Sequence, residues 1–308
     1  MGSAIKAILV LAGIALAIGG AMIIVTQAAS GAQPWDPELS DNFVFIKSLP
    51  FVLGVGVVTG LVRSARRVEE ARGGQVRRFS AWTIVGHWLI TIGFVLALPT
   101  GVWQYLGGIT DKHLPFPLYL VYRVHYIGAA IVLFSVAHFL AYWWASGERS
   151  LWVGRGQWRR HLTGLAFELP AALRRPFAAR LRLDLSRRPQ ATRWTFYETA
   201  FSFPTWSFAL ALITVTGLVK ALRYLYPIPG PLLYTASTLH VAAMGLILLK
   251  VLDHLRYTLP RWSLMRAMVT GWISEGALRR ILIGPKVPGE ATSDPAAAPV
   301  GALGSSER

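Results

Sequence analysis

Six apolar runs, each close to the length of a bilayer crossing, constrain this chain more than any other feature. They cover residues 4–25, 43–62, 82–103, 119–144, 201–222 and 233–257. A helix needs about 20 apolar residues to cross the hydrocarbon, and only helices or closed barrels satisfy their own peptide groups there. The expected fold is therefore all-α, an integral membrane helical bundle. Composition agrees: 54% of residues are hydrophobic and only 15% are charged, far from the balance of a soluble domain.

A net charge of +16 invites a nucleic-acid reading, which the positions of the charges exclude. Eleven arginines (Arg149, Arg155, Arg159, Arg160, Arg174, Arg175, Arg180, Arg182, Arg187, Arg188 and Arg193) fall between the fourth and fifth runs. A second cluster, including Arg63, Arg66, Arg67, Arg72, Arg77 and Arg78, separates the second and third runs. A third begins at Arg256 and Arg261 after the sixth. Six alternating crossings put all three on one side, and the opposite loops carry few lysines or arginines. By the positive-inside rule the basic side and the C-terminus are cytoplasmic, which predicts a multi-pass protein of the inner (cytoplasmic) membrane. Residues 1–30 read equally as a cleaved secretory signal or as a retained first helix, with Lys6 ahead of the apolar stretch and Ala28-Ala29-Ser30 behind it. Residues 43–283 form the expected membrane domain. The Pro-, Ala-, Gly- and Ser-rich segment 284–308 is expected to be a disordered cytoplasmic tail.

The chain has no cysteine, so disulfides, thiolate zinc sites, iron–sulfur ligation and covalent haem attachment are excluded from it. Seven histidines remain as candidate metal ligands. His240 and His254 are the most informative, because fourteen residues advance a helix by ~21 Å and leave two side chains about 40° apart in azimuth. They share a face near opposite sides of the hydrocarbon, and an intramembrane histidine needs a partner or a metal. Two stacked metal centres need that arrangement. Haem suits it best, since imidazole is a common axial ligand and a flat macrocycle fits between helices. Depth along the spans then selects the partners: His125 with His240 at the outer side, and His87 with His254 at the cytoplasmic side.

His138 is the rival for the inner site. Thirteen residues from His125, it is rotated about 140° round the helix, away from the same seam unless the helix is kinked. A neutral imidazole hydrogen-bonded to a neighbouring helix is the expectation there. His113 and His161 are expected at the surface. Gly86, Gly128, Ala242 and Gly245 lie beside the chosen ligands and could admit a macrocycle. Arg78, Arg123 and Arg256 lie near the two interfaces, as propionate partners or as snorkelling arginines.

Arg77-Arg78-Phe79 followed by Gly86-His87-Trp88-Leu89, then Arg123-Val124-His125, then His240-Val241-Ala242-Ala243 with His254 beyond, resembles the cytochrome b (gamma) subunit of membrane-bound formate dehydrogenases. That superfamily includes the cytochrome b of nickel–iron hydrogenases, thiosulfate-reductase anchors and bacterial cytochrome b561. The resemblance covers about residues 77–272. It implies four haem-binding helices, here preceded by one or two N-terminal helices. Two b haems would be held by His87, His125, His240 and His254, and electrons would pass between an iron–sulfur partner outside and quinone near the cytoplasmic haem. The chain departs from the formate dehydrogenase pattern at Pro189-Gln190-Ala191-Thr192-Arg193, so formate is not implied as the partner's substrate.

The leading expectation is thus a membrane-anchoring electron-transfer subunit, working with iron–sulfur and catalytic oxidoreductase subunits and with the quinone pool. A stand-alone cytochrome b561-like carrier is the alternative. A transporter using buried His, Lys and Asp as proton relays is the reading from another class. Lys250 and Asp253, unusual in an apolar run, are expected to pair with each other at i, i+3.

Overall fold

The computed structural model describes residues 3–29, 37–63, 71–110, 116–147, 150–191 and 193–283. The segment 284–308 and His113 lie outside the described residues. Six long helices match the six apolar runs: α1 (Ser3–Ala29), α2 (Pro37–Arg63), α3 (Ala81–Thr110), α4 (Leu118–Ser146), α7 (Phe203–Leu222) and α8 (Gly230–Thr258). All six are long and apolar enough to cross a membrane, so the chain is a multi-pass α-helical membrane protein. Four shorter helices follow the fourth and sixth spans: α5 (Trp158–Glu168), α6 (Ala171–Leu181), α9 (Trp262–Thr270) and α10 (Glu275–Ile283). Three short strands, β1 (Ala71–Arg72), β2 (Gln75–Arg77) and β3 (Trp272–Ser274), complete the described elements.

The chain divides into two compact units. The first holds α1 to α4 and most of α7 and α8. Glycine sets its tightest helix contacts, because lipid offers no hydrophobic drive for helices to associate and close van der Waals approach must replace it. On α2, Gly56 and Gly60 form a G-x-x-x-G pair against α4. A Cβ on Gly56 would lie 3.0 Å from that of Ala137, and one on Gly60 would lie 2.9 Å from that of Ala141. On the other flank of α4, Gly128 meets Gly93 of α3: a Cβ on Gly128 would stand 2.7 Å from the Gly93 carbonyl oxygen. Close backbone packing joins α1 to α2, α2 to α4 and α3 to α4; α7 and α8 pack closely against none of the other spanning helices.

The second unit gathers residues 68–80, 149–208 and 254–308. Its sheet runs β1-β2-β3, antiparallel throughout, with Gln75 opposite Ser274 and Arg77 opposite Trp272. Gly73 and Gly74, both at positive φ, make the β1–β2 turn that other residues would strain. Leu165, Phe196, Tyr197, Tyr257, Leu264, Ile273 and Leu278 form its buried core. The arginine-rich segment between the fourth and fifth spans falls in this unit, as do Arg72, Arg77 and Arg78, whereas Arg63 belongs to the first.

A capping box starts the helical run into α7. The Thr195 hydroxyl accepts the Glu198 N–H at 3.2 Å, and the Glu198 carboxylate accepts the Thr195 N–H at 2.7 Å. Glu168, at the end of α5, accepts the two N–H groups between them, from Phe196 at 2.9 Å and Tyr197 at 2.7 Å. Every amide that the helix start leaves without an intrahelical partner is thus satisfied. Glu198–Ser202 then form one π-helical turn before α7 continues as an α-helix.

Candidate functional site

His125 and His240 lie in the first unit, on α4 and α8, and each is held by a threonine on the helix that precedes its own. The His125 Nδ1 is 3.0 Å from the Ala97 carbonyl and 3.2 Å from the Thr100 hydroxyl, both on α3. A carbonyl only accepts, so Nδ1 carries the proton. The Thr100 hydroxyl gives its own proton to Leu96 at 2.6 Å and is left as an acceptor too. Pro99 interrupts the α3 backbone ladder in this same turn, since it has no N–H to give.

The α7–α8 hairpin repeats the device. The Thr216 hydroxyl donates to Leu212 at 2.7 Å and accepts from His240 Nδ1 at 3.0 Å. Each threonine is followed by a glycine that makes room for the ring it holds. A Cβ on Gly101 would lie 3.3 Å from His125 Cε1, and one on Gly217 would lie 3.1 Å from His240 Cε1. In both residues the neutral tautomer is therefore fixed with the proton on Nδ1 and the lone pair on Nε2. Among the described residues neither Nε2 takes part in a hydrogen bond. The two imidazoles are near enough to act on each other electrostatically, and Lys220 acts on both. Gly101 also faces the Met244 sulfur, 3.3 Å from where a Cβ would be, which brings α3, α4 and α8 together at this level.

His138 is built the opposite way. Arg63, which can only donate, lies 3.2 Å from its Nε2, and the Thr59 hydroxyl lies 2.9 Å from its Nδ1. Both ring nitrogens are used, and the side chain is 5% exposed. It is the neutral, satisfied imidazole expected from its azimuth. Its partner Arg63 also donates to Thr83 at 2.6 Å and stacks over Tyr142 at 3.8 Å from the ring centre.

His87 and His254 are partly buried. His87, four residues from Thr83 on α3, meets Trp88 edge-on at 5.5 Å between ring centres. His254 belongs to the second unit and meets Trp206 edge-on at 6.4 Å. Of the small residues singled out from sequence, Gly86 accommodates the Phe139 ring, and Gly245 has no atom within 4 Å of where a Cβ would be. His161 is not the bare surface residue expected. It is partly buried, with Nδ1 2.8 Å from the Thr199 hydroxyl and its ring edge-on to Phe196, because α5 folds back over the start of α7.

The three arginines singled out from sequence have defined settings. Arg78 is 4% exposed within the second unit, donating to the Arg193 carbonyl and, at 3.2 Å, to Glu198, and lying over the Trp194 ring at 4.1 Å. Arg123 pairs with Asp41 at 2.9 Å. Arg256 is exposed in the last turn of α8. Lys250 and Asp253 form the expected i, i+3 ion pair at 2.9 Å.

Sequence reasoning did not single out Thr100, Thr216, Gly101, Gly217 or Lys220. A signal was present: a Thr-Gly dipeptide lies 25 residues before His125 and 24 before His240. Among the described residues no three His, Cys, Asp or Glu side chains converge on one metal position. Compared with protein-family models, curated proteins and solved structures, the chain matches none.

Proposed function

We propose that this chain is a membrane-anchoring dihaem cytochrome b. It would pass electrons across the inner (cytoplasmic) membrane between an iron–sulfur subunit of a partner oxidoreductase and the quinone pool, with its C-terminus in the cytoplasm. The observation that carries the reading is the matched pair His125 and His240, each with Nδ1–H tied back to the preceding helix and Nε2 left as a lone pair. That is the state an axial imidazole needs, and a hydrogen bond at the far nitrogen is how proteins orient such ligands and raise their basicity.

Haem b fits this donor set. His125 and His240 would hold it, since a porphyrin would bring its own nitrogen ligands and no third side chain converges among the described residues. The backbones of α7 and α8 stand off from direct helix packing, which suits a flat group between helices. When bound, such a group supplies a one-electron carrier in hydrocarbon that is otherwise insulating. His87 and His254 are proposed as the inner ligands on their depth in the sequence. The residues of the chain would hold, orient and shield the group.

The test is the pyridine haemochrome of purified protein, expected to give two non-covalent haems b per chain with low-spin bis-histidine spectra. One haem or none per chain would sink the proposal. Co-purification of an iron–sulfur subunit is the outcome expected of an anchor, whereas a haem-loaded chain that always purifies alone is a stand-alone carrier.

A further inference from the structure

Lys220 lies one helical turn beyond Thr216 on α7, four residues on and therefore about 40° round and ~6 Å further along the axis. Thr216 is the residue that holds His240, so Lys220 rises from the same face of α7 toward the end of the span. Its charge acts on both His125 and His240. The side chain is partly buried, and among the described residues its ammonium has no hydrogen bond and no ion pair.

A second cation stands beside it. Arg223, at i+3, acts on Lys220 with like charge. It donates to the Tyr224 hydroxyl and lies 4.7 Å from that ring's centre, and it too makes no ion pair among the described residues. Like charges one turn apart destabilise a helix, and a partly buried ammonium without a counter-charge costs more. Asp41, a carboxylate at this end of the unit, is engaged by Arg123. The neighbouring polar groups, Tyr126 and Asn42, bond to each other. Lys220, partly buried beside two imidazoles with free lone pairs, thus has no anion among the described residues, and the exposed Arg223 stands next to it.

Resting on the haem reading, we propose that Lys220 is the anchor for a propionate carboxylate of the haem held by His125 and His240, with Arg223 completing the anionic seat. Haem b carries two carboxylates on one edge, and the seat lies at the end of the span where that edge would meet the polar interface. Lys220 is a positioning residue here: it fixes which way the macrocycle enters and leaves the ligation to the histidines. Arg123, for which sequence position offered this role or that of a snorkelling arginine, instead pairs with Asp41.

The experiment compares apoprotein reconstituted with haem b and with haem b dimethyl ester, which lacks the carboxylates. The variants are wild type, Lys220→Met and Lys220→Arg, and the readout is equilibrium affinity followed by the visible spectrum. A hydrogen bond to a charged group is worth a factor of about ten or more in affinity. Lys220→Met should therefore bind haem b about tenfold more weakly at the outer site, while Lys220→Arg stays near wild type. With the dimethyl ester, wild type and Lys220→Met should bind alike. Should Lys220→Met not insert, Lys220→Gln carries the same expectation. Equal affinity for haem b in wild type and variant overturns the proposal, as does an equal loss for haem and ester, which marks a merely structural lysine. A wild type that binds neither overturns the cofactor reading itself, and is a distinct result.

Discussion

At the scale of single residues, the imidazoles differ by what their second nitrogen meets. A carbonyl or a hydroxyl whose proton is already given away leaves Nε2 as a donor to a metal, as in His125 and His240; a guanidinium takes that lone pair, as in His138. Removing the threonine hydroxyl should thus act through the ligand. Thr216→Val should weaken retention of the outer haem by about 10- to 100-fold, the usual effect of losing such a hydrogen bond. Thr100→Val should do less, because His125 keeps the Ala97 carbonyl at 3.0 Å. Haem titrations of the two variants check the order. A second residue-scale prediction concerns Glu168, whose carboxyl burial pushes up to about 7 against the pull of the Phe196 and Tyr197 amides. A carboxyl raised in the folded state holds its proton there after the unfolded chain has released it. Stability from this group is therefore greatest below pH 4.5 and falls as pH rises toward 7, by on the order of 1–3 kcal/mol. Glu168→Gln should remove that part of the slope in melting temperature measured from pH 4.5 to 7. The threonines escaped the sequence reading for a physical reason: a threonine in a membrane helix normally bonds a carbonyl in the preceding turn of its own helix, as Thr100 does with Leu96, and its second role depends on a ring from another helix.

At the scale of elements, the six spans were legible because hydrocarbon enforces length and apolarity, and the observed ends fall within a few residues of the runs read from sequence, apart from the C-terminal end of α3, which continues about two turns further to Thr110. The strands were not. Two or three residues carry no alternation, and the register of β2 on β3 is set by pairing between segments about 200 residues apart. Nor was the α5–α6 pair, whose arginine-rich sequence reads first as charge. Helix contacts give a sharper prediction. A Cβ on Gly60 would press on the backbone of α4 at His138 and on Ala141, which cannot retreat without moving the helix. Gly60→Ala should lower stability by about 1–3 kcal/mol, the range for overpacking. Gly108→Ala, where a Cβ meets nothing within 4 Å, should leave it unchanged or slightly improved. Unfolding in detergent, followed by circular dichroism, separates them.

At the scale of the whole molecule, the charge asymmetry predicts a topology with the arginine-rich loops and the C-terminus on the cytoplasmic side. The absence of cysteine makes it directly testable, since any introduced thiol reports alone. Arg72→Cys, Arg180→Cys and Arg280→Cys should all react with an impermeant maleimide only from the cytoplasmic side, and Tyr226→Cys only from the external side. Labelling of any of the first three from outside would overturn the orientation.

The pairing of β2 with β3 also imposes an order on biogenesis. The hairpin 71–77 leaves the ribosome with one edge unpaired, and its partner strand follows only after four more crossings. At ordinary translation rates that interval is roughly 10–40 s. During it the hairpin is an open edge of the kind that recruits foreign strands. Its brevity and its flanking arginines are the protection available until Trp272–Ser274 arrives, so a chain truncated after α8 should insert all six spans yet carry that open edge for its lifetime.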